Sequence, residues 1–277
     1  MKHDEGEFSN STGASLYFQC WMPEENPRAT LLIAHGLAEH SGRYQHFADF
    51  FADRAYAVFA LDHLGHGKSD GLRCHINQFS DYTDGIALLL ERVHKVCQGI
   101  PVFLVGHSMG GLIATSFVIE HQEEFAGCVL SGAAIQPAVE LSSIQNMVMK
   151  FFSRFLPKMR VLQLDSSEIS RDPTVVDRYR MDPLVFNGKV TARLAEQLFA
   201  QMIAIESKLE GIKLPMLILH GSEDGLTSLD GAKMLHKKIS SADKKLIVYD
   251  GLYHEVYNEP EQIAVMTDVS DWLDSVR

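Results

Sequence analysis

The sequence predicts an α/β fold: a mostly parallel central sheet with helices on both faces and an inserted helical cap. Three observations carry that expectation. Short apolar runs alternate with longer helix-patterned stretches, the signature of parallel strands joined by crossover helices. The runs are nearly continuous in hydrophobicity, as strands covered on both faces require. One interval, from Ala134 to Pro215, spans about 80 residues with no comparable run, too long for a structureless loop in a compact domain.

Taken in order, "LYFQCWMP" at 16–23 reads as an antiparallel edge strand ended by Pro23. "TLLIAHG" at 30–36, "AVFALDHLG" at 57–65, "PVFLVGHS" at 101–108, "GCVLSGAA" at 127–134, "PMLILHG" at 215–221 and "KKLIVYDG" at 244–251 read as the parallel strands. Residues 14–135 and 213–277 are then the core, and 136–212 the helical cap. The polar stretch "MKHDEGEFSNSTG" at 1–13 reads as a disordered lead-in without the apolar segment of a signal peptide. No apolar run is long enough for a transmembrane helix.

Composition excludes some functions. The chain has 277 residues and a formal net charge of -11. An acidic balance argues against nucleic acid as a partner and against wholesale attraction to anionic membranes. Cys20, Cys74, Cys97 and Cys128 show neither paired nor metal-ligand spacing, so free thiols and a cytoplasmic location are expected. His63 and His66 form H-x-x-H, but no H-E-x-x-H or Cys–His cluster accompanies them, and no G-x-x-x-x-G-K-[ST] loop is present. Neither a metal nor a cofactor is expected.

The informative stretch is "GHSMG" at 106–110, a G-x-S-x-G pattern between an apolar strand and a helix. There a serine turns sharply so that its hydroxyl projects above the sheet, and glycines two positions away avoid collision with strand and helix. Ser108 is therefore the candidate nucleophile. A serine hydroxyl needs a base held by an acid, following in the order serine, acid, histidine. "YDGLYHEVYNEP" supplies His254 just after the last strand. "LILHGSEDGLTS" supplies Asp224, with Glu223 the local rival and Asp230 a candidate helix cap. The preceding strand, 127–134, offers no carboxylate until Glu140. Two N–H groups must receive a tetrahedral oxyanion. Met109, after the nucleophile, and Leu37, in the loop after "LLIAHG", are the candidates. "DHLGHGKSDG" at 62–71 reads as a structural loop, with Asp62, His63 and His66 as satisfied polar groups.

With these residues placed, the chain resembles the monoacylglycerol lipase family of the α/β-hydrolase superfamily. The matching stretches are "HGLAEHSGRY", "DHLGHGKSDG", "GHSMGG", "HGSEDG", "GLYHEVYNE" and the insertion's "LDSSEISRDPTVVDRYRMDPL" at 164–184. The resemblance implies a serine hydrolase that cleaves monoacylglycerol to fatty acid and glycerol through an acyl-enzyme, without cofactor. It implies the triad Ser108, Asp224 and His254 and oxyanion donors at Leu37 and Met109. It also implies that Glu39 and Arg43 shape a polar pocket end near the glycerol headgroup, with Tyr179 close by. Leu37 is bulkier than the alanine or glycine many members carry, and Thr227 stands where some animal members have cysteine. A lysophospholipase or general carboxylesterase is the alternative on the same scaffold. A non-catalytic binding protein would typically lack a triad member.

The insertion adds a lipid signal. In "IQNMVMKFFSRFLPKM" at 144–159, Ile144, Met147, Val148, Phe151, Phe152 and Phe155 share one helical face, while Lys150, Arg154 and Lys158 recur every four residues on another. Two readings stand open: a cap helix packed on its own domain, or a face that makes peripheral contact with a membrane and feeds a lipid ester to the serine. Nothing in the pattern specifies an oligomeric state.

Overall fold

The computed structural model describes residues 1–137 and 142–277; Glu140 lies outside them. The N-terminal strands are β1 (Lys2–Ser9), β2 (Ser15–Met22) and β3 (Ala29–Ala34), followed by α1 (Gln45–Ala52), β4 (Tyr56–Leu61), α2 (Ser80–Val96), β5 (Val102–His107), α3 (Met109–His121) and β6 (Gly127–Ser131). The insertion holds α4 (Ser143–Phe155), β7 (Arg160–Leu162), α5 (Pro173–Met181), β8 (Val190–Thr191) and α6 (Ala192–Glu206). The chain closes with β9 (Met216–Gly221), α7 (Leu229–Lys238), β10 (Lys244–Tyr249) and α8 (Gln262–Val276).

The sheet order is β1-β2-β4-β3-β5-β6-β9-β10. From β4 to β10 all neighbours are parallel, and β2 joins β4 antiparallel. The fold class read from the sequence is the one observed. Residues on the two sheet faces separate into two apolar clusters. Phe47 and Phe51 of α1 and Trp272 of α8 pack on one face, and Ile86 of α2, Leu112 of α3 and Leu235 of α7 pack on the other. That double covering is why β3 to β6 are buried throughout and mostly apolar.

The lead-in is a difference. Residues 2–9 form β1, which pairs with β2 along its whole length, so β2 is not the edge. β1 lacks an apolar alternation. It is held by backbone pairing to β2, by His3 stacked on Trp21 (ring centroids 5.1 Å apart) and by Phe8 on Phe18 (5.7 Å). An unpaired edge of N–H and C=O groups is a strong enough template to order a polar strand.

The strand order reverses around β3: the chain passes first to β4 on one side and then to β5 on the other. Crevices at such a reversal, beyond the carboxyl ends of the strands, are where open α/β sheets bind ligands. Ala34 of β3 lies in register with Gly106 of β5, so the loops that begin at His35 and at Ser108 emerge side by side.

The insertion leaves the sheet after β6 and returns at β9, and those strands are hydrogen-bonded neighbours. α4 opens with a capping box, Ser142 Oγ accepting from Gln145 N while Gln145 Oε1 accepts from Ser142 N. It packs against α6 and ends at Phe155 rather than running to 159, because Pro157 cannot continue a helix. Lys158 thus lies beyond it. Phe152 turns inward and is half-buried, while Ile144, Met147, Val148, Phe151 and Phe155 are exposed, Ile144 at 73%.

Candidate active site

Ser108 sits between β5 and α3 with φ 54 and ψ -119, a strained conformation for a residue with a side chain. Such strain persists only where the surroundings impose it. Here Ser108 N donates to Ser131 O, while its carbonyl accepts from Gly111 N, Leu112 N and Ala134 N. A Cβ on Gly106 would lie 2.6 Å from Gly110 O, and one on Gly110 would collide with the Ala34 carbonyl. The glycines of the motif are therefore demanded by close approach. The N-terminus of α3 points its free N–H groups and positive dipole end at the same corner.

Asp224 lies in the turn after β9. Leu226 N and Thr227 N donate to its Oδ1 at 2.8 and 2.9 Å, and Thr227 Oγ1 reaches its Oδ2 at 2.7 Å. His254 Nδ1 is 2.8 Å from Oδ2. A carboxylate can only accept, so Nδ1 carries the proton and Nε2 is left unprotonated as an acceptor. Burial pushes the Asp224 carboxyl up, but His254 and the Thr227 bonds outweigh burial and hold it well below the usual range. Glu223 is exposed, and Asp230 lies in the first turn of α7, paired with Lys233.

Leu37 follows the Gly36 amide, which donates to Glu39 Oε1 at 2.6 Å. Among the described residues, neither Leu37 N nor Met109 N donates to another protein group. Two uncommitted amides therefore stand at the ends of β3 and β5, as an oxyanion site requires.

Ser108, His254, Leu37 and Met109 line one cavity of about 280 Å³, walled by Leu162, Leu164, Leu198, Phe199 and Met202 of the insertion. A wider polar groove of about 360 Å³ between α2, α3 and α6 shares no lining residue with it. Glu39 and Arg43 are on neither wall. Glu39 is buried and the Arg43 side chain is 11% exposed, and the two are bonded to each other, Arg43 Nη1 to Glu39 Oε2 at 2.6 Å. Tyr179 of α5 covers Arg43, its ring 4.7 Å from the guanidinium carbon, and lines a separate recess of about 30 Å³. Asp62 is satisfied by Ser41 and Lys68, whereas both ring nitrogens of His63 lack a partner among the described residues.

The profile of the family described as serine aminopeptidase, S33, matches residues 25–261. This chain belongs to that family. It is 36% identical over 269 residues to a monoacylglycerol lipase of Mycolicibacterium smegmatis, covering 97% of this chain and 96% of that one. It is 33% identical over 267 residues to human monoglyceride lipase, covering 95% and 88%. The crystal structure of a monoacylglycerol lipase from Paleococcus ferrophilus superposes with a TM-score of 0.83 at 29% identity, over the full length of both chains. The resemblance seen in short motifs thus extends along nearly the whole of this S33-family chain.

Two groups beside the site went unread in the sequence. Thr227 Oγ1 contacts Asp224 and lies 3.4 Å from His254 Nδ1; only its departure from a family cysteine had marked it. Glu255 forks onto Arg43, with both oxygens at 2.6 Å. Its position directly after His254, in "YHEVYNEP", was the available signal.

Proposed function

We propose that this protein is a monoacylglycerol lipase. The observation that carries the reading is an apolar cavity that ends on a strained serine, a carboxylate-held histidine and two uncommitted amides. The names of its relatives supply the substrate class. His254 Nε2 takes the Ser108 proton as Oγ attacks the ester carbonyl. Leu37 N–H and Met109 N–H receive the oxyanion. Collapse expels glycerol, protonated by His254, and leaves an acyl-serine. Water, deprotonated by the same histidine, attacks that ester and releases fatty acid and free Ser108. Each CH₂ buried in the cavity contributes about 0.8 kcal/mol, which favours long acyl chains.

The exposed face of α4 supports a second part of the reading, peripheral contact with lipid. Contiguous apolar side chains at a surface mark an interaction site, and Lys150 and Arg154 flank this one. Leu162, half exposed and lining the cavity, lies in the adjoining β7. Among the described residues no helix is long and apolar enough to cross a membrane.

A panel of monoolein, triolein and lysophosphatidylcholine tests the assignment, with Ser108→Ala as the control. The expected result is turnover of monoolein well above the others and loss of turnover and fluorophosphonate labelling in the variant. Triolein hydrolysed as fast as monoolein, or labelling retained without Ser108, overturns it.

A further inference from the structure

We propose that Arg43 is a positioning residue that locks the oxyanion loop to the histidine loop; the inference rests on the reading of Ser108, His254 and Leu37 given above. Arg43 stands on a single turn, Ser41–Tyr44, between β3 and α1. Its Nη1 and Nη2 meet Glu255 Oε1 and Oε2, both at 2.6 Å, and Nη1 also meets Glu39 Oε2 at 2.6 Å. Glu255 adjoins the base. Glu39 reaches back through Oε1 to Gly36 N at 2.6 Å, one residue before Leu37, and takes Tyr44 OH at 2.8 Å. An unbroken chain of short, charge-assisted bonds thus runs from the Gly36 amide, one residue before Leu37, to the Glu255 carboxylate, one residue after His254.

The loop it holds is not a relaxed one. Ala38 has φ 68, the left-handed region that a residue with a Cβ avoids. The Glu39 carboxylate keeps that turn closed from within, and Phe186 N, donating to Ala38 O at 2.8 Å, keeps it from the insertion's side. Burial pushes the Glu39 carboxyl up, yet Arg43, His107 and His35 hold it at about 2, so the clamp stays charged.

Stability does not explain such a cluster. A buried Glu–Arg–Glu group is commonly no better for stability than apolar residues of the same volume. Substrate contact does not explain it either. The recess that Glu39 and Glu255 line with His107 and Tyr257 holds about 10 Å³. That is about one water and no room for a glycerol headgroup. What remains is geometry, and only a planar fork supplies it. A lysine ammonium is a point charge and cannot hold both oxygens of Glu255 while touching Glu39.

Arg43→Lys, Glu255→Gln and the double variant test the proposal. Each is assayed with p-nitrophenyl butyrate, which has no glycerol, and with monobutyrin, after circular dichroism and melting show a folded protein. A misplaced oxyanion or base costs up to about 100-fold. The expected result is therefore a kcat loss of about 10- to 100-fold on both substrates with KM nearly unchanged, and a double variant no worse than the poorer single one. Retained kcat in the folded variants overturns the proposal. So does a loss confined to monobutyrin and expressed in KM, which would make Arg43 a glycerol contact. If Arg43→Lys does not fold, the nearly isosteric Glu255→Gln decides by the same criteria. Turnover retained in Ser108→Ala would overturn the functional reading itself, and this one with it, whereas the Arg43 results bear on this one alone.

Discussion

The carboxyl end of the sheet and the outer face of α4 obey opposite rules. At the sheet end, the side chains of Asp224, Glu39 and His254 are withdrawn from water and bonded to named partners, and the backbone around Ser108 is fixed by four hydrogen bonds. On α4, Phe151 and Phe155 pack against each other with tilted rings, centroids 4.9 Å apart, and are 54% and 63% exposed. Chemistry that depends on donors already aimed at a transition state needs the first arrangement. An apolar surface left bare fits a face whose partner is not part of the chain. The contrast teaches that fixed polar geometry is concentrated at the sheet end proposed for catalysis, while the face proposed to meet lipid is left open.

The largest expected effect lies at the rigid end. Asp224→Asn should lower kcat by about 10⁴, because the amide lets the imidazole settle in the wrong tautomer. Steady-state kinetics on a soluble ester measure it. A greater loss in Glu223→Gln would move the acid to Glu223 and break the comparison, since Glu223 is exposed.

Acid should attack the same end next. Burial, with His254 beside it, lowers the His107 imidazole from 6.5 to about 4, and burial with His35 beside it lowers His66 to about 3. Glu39 is held at about 2 instead of 4.5. In each case the unfolded chain binds the proton at a higher pH than the native one. The stability these groups supply is thus complete above their unfolded values and lost as pH falls through the folded ones. Melting temperature should decline from about pH 6.5 downward through the imidazoles and further below about pH 4.5 through Glu39. A flat profile from pH 7 to 4 would contradict this. α4 contains no histidine or carboxylate, so it offers acid no such handle.

The smallest effect on chemistry is expected from the open end. Changing Lys150, Arg154 and Lys158 to glutamate should weaken sedimentation with anionic vesicles, each basic residue being worth on the order of 1 kcal/mol near such a surface. Hydrolysis of a short soluble ester should stay within about twofold of wild type, because these residues are exposed and off the cavity wall. Unchanged sedimentation with collapsed soluble-ester activity would make α4 a structural element and erase the contrast.

Much of this was legible in residue order. Near-continuous apolar runs marked the parallel strands because both faces are covered. The glycines around Ser108 marked the elbow because their Cβ atoms have nowhere to go. Asp224 and His254 could be named because each lies in the loop after a strand, and the fold brings them to 2.8 Å. What stayed hidden depends on partners distant in sequence. β1 is polar, and only the edge of β2 makes it a strand. Glu39 and Arg43 read as pocket residues because the family resemblance implies that role for their positions. Arg43 also bonds Glu255, which is 212 residues away, and no local pattern announces that partner. Pro157, by contrast, was in plain view and should have ended α4 before 159.

The segment carrying α4, α5 and α6 leaves from β6 and re-enters at β9, adjacent and in register, with Val129 opposite Leu217. Because the strands are parallel, one stem leaves at Ser131 and the other re-enters at Met216, opposite Cys128, so the two are offset by three residues of strand, about 10 Å. A stretch of chain joined to the sheet at two fixed strand ends can be lengthened, shortened or traded for another without moving the strands that present Ser108 and Asp224. Evolution can therefore rewrite what such an enzyme recognises in one cassette and keep how it cuts in another.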